Sequence, residues 1–228
     1  MERVGPRNSA VLRAKMQLTE RRLKAAFRGV WENERLAELF PALLVLLHQV
    51  VRASVPLMTT AGDAARDNAT DPGRTVLADY LDEHIEEERD HDVWTLDDLA
   101  AGGWSAESVL ARVPSPTVAA MVGAQYYWIE HHDPLAVLGY IAVLEGSPPG
   151  EEHIRRLQEK SGLPDTMFRT YRKHGELDPG HGKQLDALID ALPLSPSQSG
   201  LLGMSAAHTQ DRFAEAIEAV IAGEGPLR

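Results

Sequence analysis

The sequence contains no cysteine among its 228 residues. This absence excludes disulfides, zinc–thiolate sites, cysteine-ligated iron–sulfur clusters and a cysteine nucleophile. A basic excess is missing too, because 34 acidic residues outnumber 23 basic ones and give a formal net charge of −11. Nucleic acids and anionic membranes reward clustered Lys and Arg, so we expect neither as a partner.

Long apolar segments are also missing. The N-terminal stretch MERVGPRNSAVLRAKMQ lacks the apolar core of a signal peptide. The longest apolar run, ALLVLLHQVV at residues 42–51, is too short to cross a bilayer. We therefore expect a cytoplasmic protein that acts on a small molecule, and the sequence leaves open whether it forms a homodimer.

Apolar residues recur with helical spacing nearly throughout, and no stretch alternates long enough to predict a strand. We expect one all-α domain over residues 1–228 with seven or eight helices, the first at about Asn8–Trp31. Residues 34–55 are apolar on all sides, which is typical of a helix buried inside a bundle. Pro41 should start or kink that helix and Pro56 should limit its end. The small, polar segment 59–73 is expected to be a loop or broken helix that borders a pocket.

The first informative stretch, DEHIEEERDHDVW, holds His84, Glu88 and His91 at the spacing HxxxExxH. At about 100° per residue, the three side chains span about 60° of a helix circumference. They point one way if the helix that we expect from about Arg74 to Gly102 is continuous. The alternative is an ordinary charged helix face in contact with solvent.

A second stretch, KHGELDPGH, repeats this spacing with His174, Asp178 and His181. It lies in a helix expected over residues 165–192. Pro179 should kink or restart that helix, because proline removes a backbone hydrogen bond. Asp178 could then be the N-cap of the restarted helix instead of a metal ligand.

A further carboxylate, Glu145, lies in the apolar segment GYIAVLEGS. If buried it must be paired, protonated or metal-bound, since an isolated buried charge is very costly; the alternative is that the helix ends there and the side chain is exposed. The two triplets facing each other would form a metal site, which we interpret as a site for two ions, with Glu145 linking the two stretches. Imidazole and carboxylate donors without sulfur suit iron or manganese, and zinc or nickel less distinctively. Helix bundles build di-iron sites from inward-facing carboxylates and Glu-x-x-His pairs, and Glu88–His91 is such a pair.

In this order, HxxxExxHDxW, GYxxxLEG and HxxxDxxH resemble the motifs of the haem-oxygenase-like di-iron oxidase and oxygenase family, over roughly residues 35–192. The resemblance implies a haem-oxygenase-like helical bundle that uses two Fe(II) ions and O2. It also implies an oxidation such as N-oxygenation, C–C cleavage or desaturation, with a small amino acid or related natural-product precursor as the first choice of substrate and a fatty acid as the second. The implied metal ligands are Glu88, His91, Glu145, His174, Asp178 and His181.

The chain departs from this family at His84, where relatives often carry glutamate. Either His84 is itself a ligand, or Glu88 or Glu87 supplies the oxygen. A haem oxygenase is disfavoured because no histidine precedes His48, and a thiaminase-like enzyme because cysteine is absent. A cofactor-free oxidase would not explain carboxylates in all three motifs. From a different class, a non-catalytic helical binding protein with residual ligands stays open.

Other polar side chains are assigned more weakly. His48 is expected to be a core histidine, and Asp97 and Asp98 to lie at the surface, one of them supporting the site. Three arginines are equal candidates for binding a substrate carboxylate, namely Arg66, Arg169 and Arg172.

Overall fold

The computed structural model describes residues 6–67, 71–146 and 149–224, and over these ranges it is helical without a strand. The all-α prediction is confirmed, although ten α-helices stand where seven or eight were expected. They are α1 (Asn8–Trp31), α2 (Leu36–Arg66), α3 (Pro72–Glu88), α4 (His91–Ala101), α5 (Ala106–Leu110), α6 (Pro116–His131), α7 (Ala136–Leu144), α8 (Glu151–Ser161), α9 (Arg169–Ala191) and α10 (Pro196–Ala222), with a 3-10 helix at Asp165–Phe168.

The core is built around α2, which packs against α3, α4 and α6. By length and composition α2 could cross a membrane, but 67% of its most apolar window is buried inside the protein. Consecutive residues such as Leu43, Leu44 and Val45 are 0% exposed. Burial on several sides is what its uninterrupted apolar sequence predicts for a central helix.

Two expectations about α2 are wrong. Pro41 and Pro56 lie inside the helix, so Pro41 does not start it and Pro56 does not end it, and residues 59–66 continue it instead of forming a loop. A kink at Pro41 stays a prediction. Each interior proline costs about 3 kcal/mol, and apolar burial at about 25 cal/mol per Å² offsets that cost. The small residues of the expected loop serve close packing, since Ala61 and Ala65 are 0% exposed. Residues 68–70 of that segment lie outside the described residues.

The helix is interrupted between α3 and α4, so the prediction of a single helix from Arg74 to Gly102 is wrong. Asp90 has φ 66°, and among the described residues it is the one non-glycine residue with positive φ. Asp tolerates this left-handed region better than most residues because its side chain is short and polar. The break makes His91 the first residue of α4.

Unlike α3, α9 runs without interruption through Pro179. The expected restart, with Asp178 as its N-cap, is therefore wrong. The proline leaves one backbone hydrogen bond unmade, but contacts of α9 with α1, α4 and α7 hold the helix together. Asp178 lies mid-helix and is 4% exposed.

Close packing of α7 on α10 fixes the end of α7. A Cβ atom at Gly139 would lie 2.6 Å from the carbonyl oxygen of Leu202 and 2.8 Å from the backbone nitrogen of Ala206. Only glycine allows this approach. Glu145, which directly follows α7, is held relative to the bundle by the same contact.

Candidate metal centre

Three helices and the end of a fourth bring the seven predicted ligands to one region. These are His84 and Glu88 on α3, His91 at the start of α4, Glu145 directly after α7, and His174, Asp178 and His181 on α9. Their side chains are buried or half-buried, so the alternative of an exposed charged face is wrong for these residues.

Six of the seven form two groups whose donor atoms lie within 4.8 Å of one another. We call the first group site A; it consists of His84, Glu88, Glu145 and His181. The second, site B, consists of Glu88, His91 and His174. Both groups offer imidazole nitrogen and carboxylate oxygen and no sulfur, a donor set that suits iron.

Glu88 belongs to both sites and turns one oxygen toward each. Its Oε1 lies 3.6 Å from Nδ1 of His181, and its Oε2 lies 2.9 Å from Nδ1 of His91. Two donor atoms that bind the same ion, each at about 2.1 Å from it, lie about as far apart as the atoms in these two contacts. A single carboxylate thus offers one oxygen to each group of donors.

Glu145 contacts a histidine from each of the two sequence stretches. Its Oε1 lies 2.5 Å from Nε2 of His84 and 3.9 Å from Nδ1 of His181. The alternative of an exposed side chain at the helix end is wrong, because the Glu145 side chain is only 9% exposed.

At the position where relatives often carry glutamate, the structure places His84 in site A and Glu87 outside both sites. Glu87 is 40% exposed at its side chain, and its Oε2 lies 3.3 Å from Nδ1 of His84, the nitrogen that faces away from Glu145. Glu87 is therefore arranged to orient His84 from behind. Asp178 belongs to neither site, although it is buried beside them.

Unpaired buried atoms test whether these residues fit a metal. Nδ1 of His91, Nδ1 of His181, Oε2 of Glu145 and Oδ1 of Asp178 are buried without a hydrogen-bond partner in the protein. Such atoms are costly unless something binds them. Even the 2.9 Å contact between His91 and Glu88 leaves Nδ1 of His91 without a hydrogen bond. Metal ions in sites A and B would satisfy the atoms of His91, His181 and Glu145, so these donors fit a metal; Asp178 lies outside both groups.

Behind site B, a chain of hydrogen bonds fixes His174. Its Nδ1 lies 2.8 Å from the carbonyl oxygen of Thr170, and the Thr170 N–H donates to Oδ2 of Asp98 at 2.9 Å. With Nδ1 donating to a carbonyl, Nε2 carries the free lone pair that a metal needs. Asp98 is 0% exposed, so its expected surface position is wrong and its supporting role is the one that fits.

Two more side chains behind the site come from α2 and α3. His48 is fully buried, and its Nδ1 lies 3.2 Å from the carbonyl oxygen of Asp92, in the first turn of α4. Tyr80 stacks on His84 with ring centroids 5.4 Å apart. Tyr80 was not singled out from the sequence, but its position four residues before His84 on one helix was the available signal.

In the metal-free protein, the electrostatics of the site reflect crowded carboxylates. Burial, together with the charges of Glu145 and Glu88, raises the pKa of Asp178 to about 8. Burial lowers the pKa of His84, but its contacts with Glu145 and Glu88 outweigh burial and raise it to about 9. Burial lowers the pKa of His174, which favours the neutral imidazole that binds metal. The site therefore holds excess negative charge that a cation would neutralise.

Comparisons with known proteins agree with this architecture. A crystal structure of a domain of unknown function with a haem oxygenase-like fold, from Shewanella denitrificans OS217, has a TM-score of 0.71 at 15% identity and covers 95% of this chain and 90% of that one. A TenA homolog from Pseudomonas syringae pv. tomato str. DC3000 has a TM-score of 0.67 at 14% identity, covering 97% of this chain and 99% of that one. At such identities the likeness shows the fold, which is haem-oxygenase-like.

The sequence comparison gives the family. No curated protein matches the chain. Residues 44–219 match the profile of a family described as iron-containing redox enzyme, and this segment contains all seven predicted ligands. The resemblance indicated by the three motifs is confirmed, and the chain belongs to the iron-containing redox enzyme family.

Proposed function

We propose that the chain is a non-haem di-iron oxidase or oxygenase that uses Fe(II) and O2 to oxidise a small amino acid or a related natural-product precursor. The observation that carries this proposal is Glu88, which turns one oxygen toward His181 of site A and the other toward His91 of site B. Inward-facing carboxylates and histidines of this kind hold two ions in the core of helical bundles.

Bound iron supplies the O2 and electron-transfer chemistry. The protein holds the donors, excludes water from them by burial, and keeps His174 in the tautomer that directs Nε2 at site B. Asp178, unpaired and buried at the edge of site A, is available as a further ligand or as a proton carrier. The reaction is a C–H or N oxidation, a desaturation or a C–C cleavage, and the substrate decides among them.

A cavity beside site A favours a small, polar substrate. Its volume is about 370 Å³, and Glu145 and Asp178 line it. Ligand pockets run from about 300 to 1,000 Å³, so this one is small. Three of the other lining residues are charged and three are glycine or proline. The lining residues that the structure describes include no large apolar side chain. A fatty acid, which needs an apolar tunnel for its chain, is therefore the second candidate.

The test is iron loading followed by O2 uptake. Protein loaded anaerobically with Fe(II) should hold two irons per chain, develop a transient visible absorption on mixing with O2, and consume O2 when the right amino acid is present. Free amino acids and fatty acids are screened in parallel. His181→Ala should lose iron and activity, while His132→Ala, which removes an exposed histidine next to α6, should keep both.

Absence of stoichiometric iron together with absence of O2 uptake on every substrate would contradict the proposal. That result would favour the alternative of a non-catalytic binding protein with residual ligands. A cytoplasmic location stays a prediction, supported by the burial of α2, the one helix among the described residues that is long and apolar enough to cross a membrane.

A further inference from the structure

The cavity beside site A has two cations on its wall, and neither was singled out from the sequence. Arg13 comes from α1 and Lys183 from α9. Arg13 also lies outside the segment 44–219 that matches the family profile. The lining also includes Glu145 and Asp178 of the candidate metal centre. A molecule in the cavity can therefore contact both the cations and residues of the candidate metal centre.

Arg13 is held in place yet keeps free donors. Its Nη2 and Nε donate to Oδ1 of Asp186 at 2.8 and 3.1 Å, and its Nη1 donates to the carbonyl oxygen of Ala142 at 3.4 Å. A guanidinium has five N–H donors, so two are left for a ligand. The Arg13 side chain is 30% exposed, which leaves it accessible from the cavity.

Lys183 adds a positive charge that no carboxylate pairs with. Asp186 compensates Arg13, but within the described parts of the chain Lys183 has neither an ion-pair partner nor a hydrogen-bond partner. Its side chain is exposed. The cavity lining therefore offers one unpaired ammonium in addition to the Arg13 guanidinium.

The three arginines considered from the sequence do not line the cavity. Arg66 pairs with Asp63 and Asp82. The other two are also engaged elsewhere, Arg169 with Asp98 and Arg172 with Glu151 and Asp165. Arg13 is the one arginine among the described residues that line the cavity.

We propose that Arg13 and Lys183 form a binding site for the carboxylate of the substrate, so that the rest of the molecule extends toward Glu145 and Asp178. This inference rests on the proposed function and specifies its substrate class as a small carboxylic acid. The Arg13 N–H groups and the Lys183 ammonium donate to the carboxylate oxygens. Asp186 keeps the guanidinium oriented.

A binding experiment on the isolated protein tests the proposal without iron. The probes are the free L-amino acids and their carboxamides, followed by saturation-transfer NMR. At least one amino acid should bind more tightly than its carboxamide, and Arg13→Gln and Lys183→Gln should each weaken it about tenfold or more. The matched control is Arg22→Gln. Arg22 lies on α1, as Arg13 does, but outside the cavity, and its replacement removes ion pairs with Asp211 and Glu218. Binding by no amino acid, or equal binding by wild type and both cavity variants, would overturn the proposal.

Asp186→Asn separates ligand binding from a purely structural role of Arg13. If Arg13 only tied α1 to α9, breaking the ion pair from either side would have the same effect. As a carboxylate-binding residue, Arg13 should bind the probe more tightly in Asp186→Asn, because asparagine keeps the Oδ1 acceptor that orients the guanidinium and removes a competing negative charge. Equal losses in Arg13→Gln and Asp186→Asn would therefore contradict the assignment.

Two glycines on α9 test the position of the bound molecule. A Cβ at Gly180 or Gly182 would meet nothing within 4 Å, and both residues flank His181, but only Gly182 lines the cavity. Gly182→Leu should block binding of the probe, and Gly180→Leu should leave it intact. The opposite order would place the ligand elsewhere and overturn the proposal.

The two proposals can fail separately. If the iron-loaded enzyme consumes O2 with a substrate whose KM is the same in Arg13→Gln and in wild type, the carboxylate site is wrong while the proposed function stands. If carboxylates bind as described and the protein takes up no iron, the proposed function is wrong while the carboxylate site stands.

Discussion

At the scale of single residues, the site consists of donors indicated by spacing and of supports that spacing did not reveal. Six of the seven candidate ligands repeat at helical intervals and Glu145 follows an apolar segment, so the sequence could point to them. Asp98 follows His91 by the same seven residues that separate His84 from His91, but its exposed neighbour Asp97 made the pair look like surface. Its hydrogen bond to Thr170 depends on a contact between α4 and α9, which no local pattern encodes.

Replacing Asp98 tests this support. Asp98→Ala leaves the Thr170 N–H without its partner, so the free energy of unfolding should fall by about 1–3 kcal/mol. Iron affinity should fall about 10- to 100-fold because His174 loses its orientation. Asp98→Asn keeps an acceptor and should retain most of the stability and most of the iron affinity. Asp97→Ala should behave as wild type. Denaturant unfolding and iron titration measure the two effects, and an unchanged iron affinity in Asp98→Ala would refute the supporting role.

Protonation within the site predicts how stability depends on pH in the metal-free protein. The pKa of Asp178 rises from 3.8 to about 8 on folding, and that of His84 from 6.5 to about 9. Both groups hold their protons more tightly in the folded state, so stability falls as pH rises, from about 4 to 8 for Asp178 and from about 6.5 to 9 for His84. The melting temperature measured with a chelator should therefore drop between pH 6 and 9. Asp178→Asn should reduce the drop below pH 8, and a slope equal to that of wild type would contradict this assignment.

At the scale of helices, periodicity predicted where most segments lie but not how they break. The bounds of α1 agree with the expectation, since the pattern there is regular and amphipathic. The helix ends predicted at the prolines of α2 and α9 are wrong, because packing against neighbouring helices stabilises both helices through their prolines. The break at Asp90 could not be predicted from the sequence, because the left-handed conformation is usually adopted by glycine. Here an aspartate adopts this conformation. These outcomes depend on neighbouring helices rather than on local sequence.

Gly139 tests whether packing of α7 on α10 positions Glu145. Gly139→Ala places a Cβ against the backbone of Leu202 and Ala206, so it should destabilise the fold by about 1–3 kcal/mol and weaken iron binding at site A. The control is Gly123→Ala in α6, where a Cβ meets nothing within 4 Å; it should be neutral or stabilising by up to about 1 kcal/mol. Equal stability of the two variants would show that the contact does not constrain α7.

At the scale of the whole molecule, the fold brings together residues that are far apart in sequence. Arg13 and Asp186 are separated by 173 positions, and their pairing beside site A follows from the contact between α1 and α9. The motifs therefore predicted the family and the fold class, and the set of metal ligands stays a prediction. The cavity and its cations could not be predicted, because they arise only where α1, α7 and α9 meet.

The central claim is that Glu88 joins two ions, and counting iron in a Glu88 variant tests it most directly. Anaerobic Fe(II) titration should give two irons per chain for wild type and at most one for Glu88→Ala. The control is Glu86→Ala. It removes an exposed carboxylate of the same helix that pairs with Arg89, and this variant should still bind two irons. Two irons bound with wild-type affinity by Glu88→Ala, or a single iron bound by wild type, would contradict the account.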